Sequence, residues 1–270
     1  MSASSPLSPD VRWLRRGQSL PRGELRVAAS EIKATIGRSP KPQIKRKPIM
    51  SSPPTHIIHP SSPHRASIIW LHGLGADGYD FAPIAAELDL TESLGLKYIF
   101  PHAPMRPITC NQGLSMRGWY DIITLDREHF IHDTEGVLAS SHYVHKLIAN
   151  EQAHGIPPER ILLAGFSQGG AIALFAGLTS AVPLAGILAL STYVPAPEAL
   201  TSHYIAMPRN ILMLHGDQDT LIPLAAAASS RDLLQQLGQA PEFRVYPMGH
   251  GVCPEELLDI KTWIKQSLQI

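Results

Sequence analysis

Gly165-Phe166-Ser167-Gln168-Gly169 sets a serine between two glycines, directly after the apolar run Ile161-Leu162-Leu163 and just before the apolar stretch AIALFAGLT (171–179). A serine hydroxyl is a poor nucleophile unless the backbone holds it outward and a base takes its proton. A sharp strand-to-helix turn does the first job. Such a turn demands glycine on both sides of the serine, because a Cβ there would collide with the turn itself. Three fixed positions of this kind recur by chance in roughly one chain in ten of this length, so the context has to carry the reading. Here it does: the preceding run fits a central parallel strand, the following stretch fits a helix, and Gly170 adds a small residue where that helix must approach the sheet.

A serine used in this way needs a base, a group that orients the base, and donors for the developing oxyanion. Where the serine sits on a G-x-S-x-G elbow between strand and helix, these follow it along the chain in the order acid, then histidine. HGDQDTLIP (215–223), after the apolar run NILML, supplies Asp217 and Asp219; YPMGHGV (246–252) supplies His250 between two glycines. Either aspartate can reach an imidazole, and the residues alone leave the choice open. His215 reads as a strand-end histidine bonded to backbone. The oxyanion donors are expected to be the backbone N–H of Gln168 and that of Leu74, in the Gly-rich loop HGLGADG (72–78). His72 in the same loop reads as structural.

The elements that must hold these groups alternate along the chain. HIIH (56–59) and ASIIWL (66–71) read as a short antiparallel pair joined through Pro60 and Pro63. An amphipathic stretch follows with Phe81, Ile84, Ala85 and Leu88 on one face, then the strand KYIF (97–100) and a long loop through Pro101, Pro104 and Pro107. Residues 133–155 carry the longest helical pattern, from an Asp/Thr start to Gly155. Strands at 184–191, 209–216 and 242–247, a helix from Pro223 to Leu237 and a closing amphipathic helix at 254–268 complete the series. Strands alternating with helices imply a mostly parallel, doubly wound sheet with helices on both faces and its ligand site at the carboxyl ends of the strands.

Composition narrows the class. A 270-residue chain with 44% hydrophobic residues and no net charge suits one α/β domain, and no run approaches the ~18 apolar residues of a membrane span. The two cysteines, Cys110 and Cys253, cannot build a disulfide framework, which fits a reducing, cytoplasmic compartment. Cys253 does not open a helix-turn motif and is no rival to Ser167. The neutral balance hides an asymmetry: residues 1–49 carry 11 Lys/Arg against 3 Asp/Glu, and the remainder is acidic by the same margin. This Ser-, Pro- and Arg-rich extension, 1–50, reads as disordered; residues 51–270 read as the catalytic domain. The extension has no apolar core for a secretory signal. A start placed too early, with Met50 as the true beginning, is the preferred reading. An organelle transit segment comes next, and a basic tail for an anionic surface third. His142 with His145, and His129 with His132, lack a convergent third ligand, so no metal is expected. Lys45-Arg46-Lys47 comes without an aromatic platform or reading helix, so no nucleic acid is expected either.

LHGLGADGYDF, FPHAPMRPITCNQG, MRGWYDI, GFSQGG, LSTYVP, HGDQDTLIP and MGHGV, in this order over roughly residues 55–268, resemble the phospholipase/carboxylesterase family, which includes bacterial carboxylesterases and the acyl-protein thioesterases. The resemblance implies an α/β-hydrolase fold, with Ser167 as nucleophile, Asp219 as acid and His250 as base. It favours Asp219 over Asp217 because the family's acid lies four residues beyond the histidine of H-G-x-x-D. Leu74 and Gln168 match its oxyanion positions, Leu221 and Tyr193 its acyl-pocket walls, and Trp119 an aromatic of pocket or core. Tyr193 stands where eukaryotic thioesterases often carry Trp and Tyr120 where they carry Phe, which points to the bacterial branch and away from protein depalmitoylation.

The expected reaction is hydrolysis of a small-molecule carboxylic ester or thioester through an acyl-enzyme, with no cofactor. Lysophospholipids and acyl-protein thioesters are the alternative substrates, and a non-catalytic ligand-binding protein on a hydrolase scaffold is the competing class. A histidine base must be neutral to act, so activity is expected to fall below about pH 6–7. A homodimer is compatible with the sequence but not indicated by it.

Overall fold

The computed structural model describes residues 55–125 and 130–268. The basic extension expected over 1–50 lies outside these residues. The first strands are β1 (Thr55–Ile58) and β2 (Ala66–Leu71), followed by the short helices α1 (Ile84–Leu88) and α2 (Thr91–Leu94) and by β3 (Leu96–Pro101). Two small ribbons come next, β4 (Met105–Ile108) with β5 (Leu114–Arg117), and β6 (Ile122–Leu125) with β7 (Phe130–His132). Then come the long helix α3 (Thr134–Ala153), β8 (Ile161–Phe166), α4 (Gln168–Leu178), β9 (Gly186–Leu190) and α5 (Pro197–His203). The chain closes with β10 (Ile211–Gly216), α6 (Leu224–Gln236), β11 (Glu242–Tyr246) and α7 (Pro254–Ser267).

Seven strands form one sheet in the order β1-β3-β2-β8-β9-β10-β11, every pair parallel except β1 with β3. The strand period of two sorts side chains onto opposite faces. Ile69, Leu71, Leu163, Ile187 and Met213 face a core shared with α3 and α4. Ile68, Trp70, Leu162, Leu188 and Leu212 face a second core built with α1 and α7. Both faces are covered, as a parallel sheet requires. The α3 start is fixed by Asp133, whose carboxylate accepts the Gly136 amide at 2.8 Å, and its end by Gly155 at φ +88°.

One expected pairing is corrected. β1 does not form a hairpin with β2; it pairs antiparallel with β3. Both edges of β2 are occupied by parallel neighbours, β3 and β8. The connector, with two prolines, is instead tied to α2, where the Glu92 carboxylate accepts the amides of Ser61 and Ser62 at 3.0–3.1 Å. The segment 101–121, expected as loop, contains the β4–β5 ribbon. No helix among the described residues is long and apolar enough to cross a membrane.

Candidate active site

Ser167 stands at the β8–α4 junction with φ 54° and ψ −121°, a backbone region that non-glycine residues rarely enter. Its amide donates to the Leu190 carbonyl at 2.9 Å, and its carbonyl accepts the Thr192 hydroxyl at 2.6 Å. The flanking glycines permit the tightness of the turn. A Cβ on Gly165 would lie 2.3 Å from the Gly169 carbonyl oxygen, and one on Gly169 would lie 2.2 Å from that of Leu71. The serine is therefore pinned in a strained conformation at the carboxyl edge of the sheet, half-buried, at the amino end of an eleven-residue helix.

The turns after β10 and β11 bring the other groups to the same edge. Asp219 is buried. Its Oδ1 accepts the amides of Leu221 and Ile222, both at 2.9 Å, and its Oδ2 accepts Nδ1–H of His250 at 2.7 Å. Burial pushes this carboxyl up, but the His250 bond and the two amides outweigh it and hold it below the usual carboxylate range. With its proton on Nδ1, the neutral imidazole keeps an acceptor lone pair on Nε2. The ring packs on Phe166, the residue before the serine, with centroids 4.7 Å apart. Asp217 is exposed and does not share this arrangement. His215 donates from Nε2 to the Ile222 carbonyl at 2.8 Å and is pushed below its ordinary value by burial, so it braces the Asp219 turn as a neutral group.

The loop after β2 lies against the serine: a Cβ on Gly73 would come within 3.6 Å of the Ser167 Cβ. Among the described residues no hydrogen bond occupies the amides of Leu74 or Gln168, and the Gln168 amide is one of those a helix start leaves unpaired. His72 cross-braces this loop, donating from Nδ1 to the Gly73 carbonyl at 2.7 Å and accepting the Ala103 amide on Nε2 at 2.9 Å. Burial lowers its pKa to about 4, so it stays neutral.

The expected pocket residues separate. Leu221 is 56% exposed beside Asp219. Tyr193 is buried, its hydroxyl 3.0 Å from that of Tyr120, and burial raises its pKa to about 12. Trp119 is 1% exposed and sits in the core as a brace: its indole N–H donates to the His72 carbonyl at 2.8 Å. The Gln168 side chain, which the sequence did not single out, completes that brace. Its Oε1 accepts the Trp119 amide and its Nε2 donates to the Tyr120 carbonyl, both at 2.8 Å. An amide side chain buried at the start of an apolar helix was the available signal. Among the described residues no three metal-ligating side chains converge; the His145 Nε2–H is engaged by the Ala176 carbonyl.

A serine on a strained elbow, with a buried aspartate–histidine pair arriving from later strands of a parallel sheet, is the arrangement of the α/β-hydrolase fold. Residues 53–268 match the Phospholipase/Carboxylesterase family, and the chain belongs to it. Acyl-protein thioesterase 1 of Neurospora crassa is 39% identical over 231 residues, covering 80% of this chain and 92% of the relative. The crystal structure of Arabidopsis thaliana SOBER1 superposes with a TM-score of 0.72 at 35% identity, covering 76% of this chain and 99% of that one. That of Zea mays acyl-protein thioesterase 2 gives 0.70 at 30% identity, covering 80% and 99%. The protein is a carboxylic ester hydrolase of the serine type. The relatives named here are fungal and plant proteins, whereas Tyr120 and Tyr193 point the sequence reading to the bacterial branch.

Proposed function

We propose that the protein hydrolyses carboxylic thioesters and esters by two acyl transfers through Ser167. His250 Nε2 takes the hydroxyl proton as Oγ attacks the acyl carbonyl, and the Leu74 and Gln168 amides bind the tetrahedral oxyanion. The imidazolium then gives its proton to the departing thiolate or alkoxide, leaving the acyl group on Ser167. Water, deprotonated by the same imidazole, attacks that ester; collapse releases the carboxylic acid and returns the proton to Oγ. Asp219 holds the imidazole tautomer throughout and, kept below the usual carboxylate range, stays ionised while it does so. The observation that carries this reading is the 2.7 Å bond from His250 Nδ1 to a buried aspartate, with the same ring packed on the residue preceding Ser167.

The names of the relatives favour thioesters of acylated proteins as substrates, with small esters and lysophospholipids as further substrates of the same chemistry. Free, half-buried thiols at Cys110 and Cys253 favour work in a reducing compartment such as the cytoplasm. A fluorophosphonate probe is expected to label the native protein covalently and to leave Ser167→Ala unlabelled. A native protein that binds substrate analogues but is not labelled would instead be a binding protein on this scaffold. Matched ester and thioester series of rising acyl length then read the preference: a kcat/KM maximum at long-chain thioesters supports the acyl-protein assignment, and one at short esters overturns it.

A further inference from the structure

The loop that carries His250 is tied at its start, where the Gln218 amide donates to the Met248 carbonyl at 3.0 Å, and packs Val252 on the second core, but it is open around His250 itself. A Cβ on Gly251 would meet nothing within 4 Å, and one on Gly249 only the Gln218 carbonyl oxygen at 3.9 Å. The Ser191 hydroxyl reaches the Gly251 carbonyl at a long 3.4 Å. The loop ends at Cys253, which, against the sequence reading, opens a helix as the N-cap of α7, and there it meets Glu256. Glu256 and Cys253 form a capping box: the Glu256 amide bonds the Cys253 sulfur, and the Glu256 Oε2 accepts the Cys253 amide at 3.4 Å. Capping-box carboxylates ordinarily face water. This one is 0% exposed, and among the described residues its Oε1 has no hydrogen-bond partner.

Among the described residues no cation reaches it. On its own helix Glu256 has Glu255 and Asp259, both acidic; on β11 it has Tyr246, whose hydroxyl donates to Asp259 at 2.6 Å, and Arg244, which is engaged by Asp259 and Glu242. The loop adds the Cys253 thiol and His250, itself bonded to Asp219. Helix α1, packed on α7, contributes Glu87, which is exposed. A buried carboxylate without a cation is costly, whereas the neutral acid is tolerated. Burial, with Asp259 adding to it, accordingly raises the Glu256 pKa to about 8.

We propose that Glu256, held as a neutral acid, is a positioning residue for His250: it anchors the end of the His250 loop through the capping box of α7, and its ionisation loosens that loop. This inference rests on the reading of His250 as the base. It predicts that the neutral isostere Glu256→Gln works as well as the native protein near neutral pH and better in alkali. The test measures kcat and KM for a (thio)ester across pH in the native protein, Glu256→Gln and Glu256→Ala, together with the low-field NMR resonance of the proton bridging His250 Nδ1 and Asp219.

In the native protein, kcat is expected to decline and the resonance to broaden as pH rises past about 8. Both are expected to persist in Glu256→Gln up to about pH 9. Glu256→Ala, which keeps neither box partner nor volume, is expected to lose about tenfold in kcat at neutral pH with KM within about twofold. Superimposable alkaline profiles for the native protein and Glu256→Gln overturn the proposal, whether or not Glu256→Ala folds. The resonance separates the two readings: a native protein without turnover defeats the catalytic assignment, while a resonance unaffected by Glu256 ionisation defeats this one.

Discussion

At residue scale the decisive question is which aspartate faces His250, and the answer lies in two backbone amides. Oδ1 of Asp219 is committed to Leu221 and Ile222, so Oδ2 alone is left to accept the imidazole N–H. In Asp219→Asn the amide oxygen must still serve those two donors, which turns the NH₂ toward Nδ1. His250 would then present an acceptor there and carry its proton on Nε2, the tautomer that cannot deprotonate Ser167. We expect a kcat loss of roughly 10⁴-fold, the scale known for this change in a serine protease triad. Asp217→Asn, at an exposed position, is expected to stay within about twofold. Steady-state kinetics of the pair checks both. From the residues alone the two aspartates were equivalent, because two positions of separation say nothing about which carboxyl a turn buries. The resemblance to a family favoured Asp219, and the hydrogen bonds supply the physical reason.

At the scale of elements, the elbow was legible because its requirements are local: an apolar strand, glycines at fixed offsets and an apolar helix. What holds the elbow was not. Gly169 packs its Cα against the end of β2, a strand almost a hundred residues earlier whose two edges are filled by β3 and β8. β2 has no room to retreat, so Gly169→Ala puts a methyl 2.2 Å from the Leu71 carbonyl oxygen. We expect a loss of about 2–4 kcal/mol in stability and loss of probe labelling at Ser167, checked by denaturant melts alongside the labelling assay. The same dependence on distant partners explains the misread first strand. The alternation in 56–59 and 66–71 reveals strands, but a pairing partner is a tertiary fact, and β1 finds β3 because β2 is already saturated. The β4–β5 ribbon was hidden by its proline: Pro107 reads as loop, yet a two-stranded ribbon has edges where a missing N–H costs nothing.

At the scale of the molecule, the two ends of the sheet carry different burdens. The carboxyl end bears the reactive groups; the amino end bears a buried ion pair. Lys97, at the start of β3, places Nζ 2.7 Å from Oε1 of Glu151 in the last turns of α3, and the Ser67 hydroxyl of β2 donates to Oε2 at 2.6 Å. That hydroxyl has spent its proton, so His64 must donate to it from Nε2, at 2.8 Å. Lys97 and Glu151 stand 54 positions apart in sequence, one inside a strand pattern and one inside a helix pattern, and nothing in either pattern announces the pair. Its energetics are asymmetric. Replacing both ions by neutral groups of similar volume is close to neutral, whereas removing one strands the other in the core. Lys97→Met leaves the Glu151 carboxylate, 1% exposed, with the Ser67 hydroxyl as donor but without its lysine. We expect it to lose about 3–5 kcal/mol, a fall in Tm of roughly 10 °C, and the double change Lys97→Met/Glu151→Gln to recover most of that loss. Because the pair sits at the opposite end of the strands from Ser167, kcat of each folded variant is expected to match the native protein. Calorimetry with parallel kinetics checks this, and a kcat that falls with Tm in both variants would mean that the two ends of the sheet are coupled.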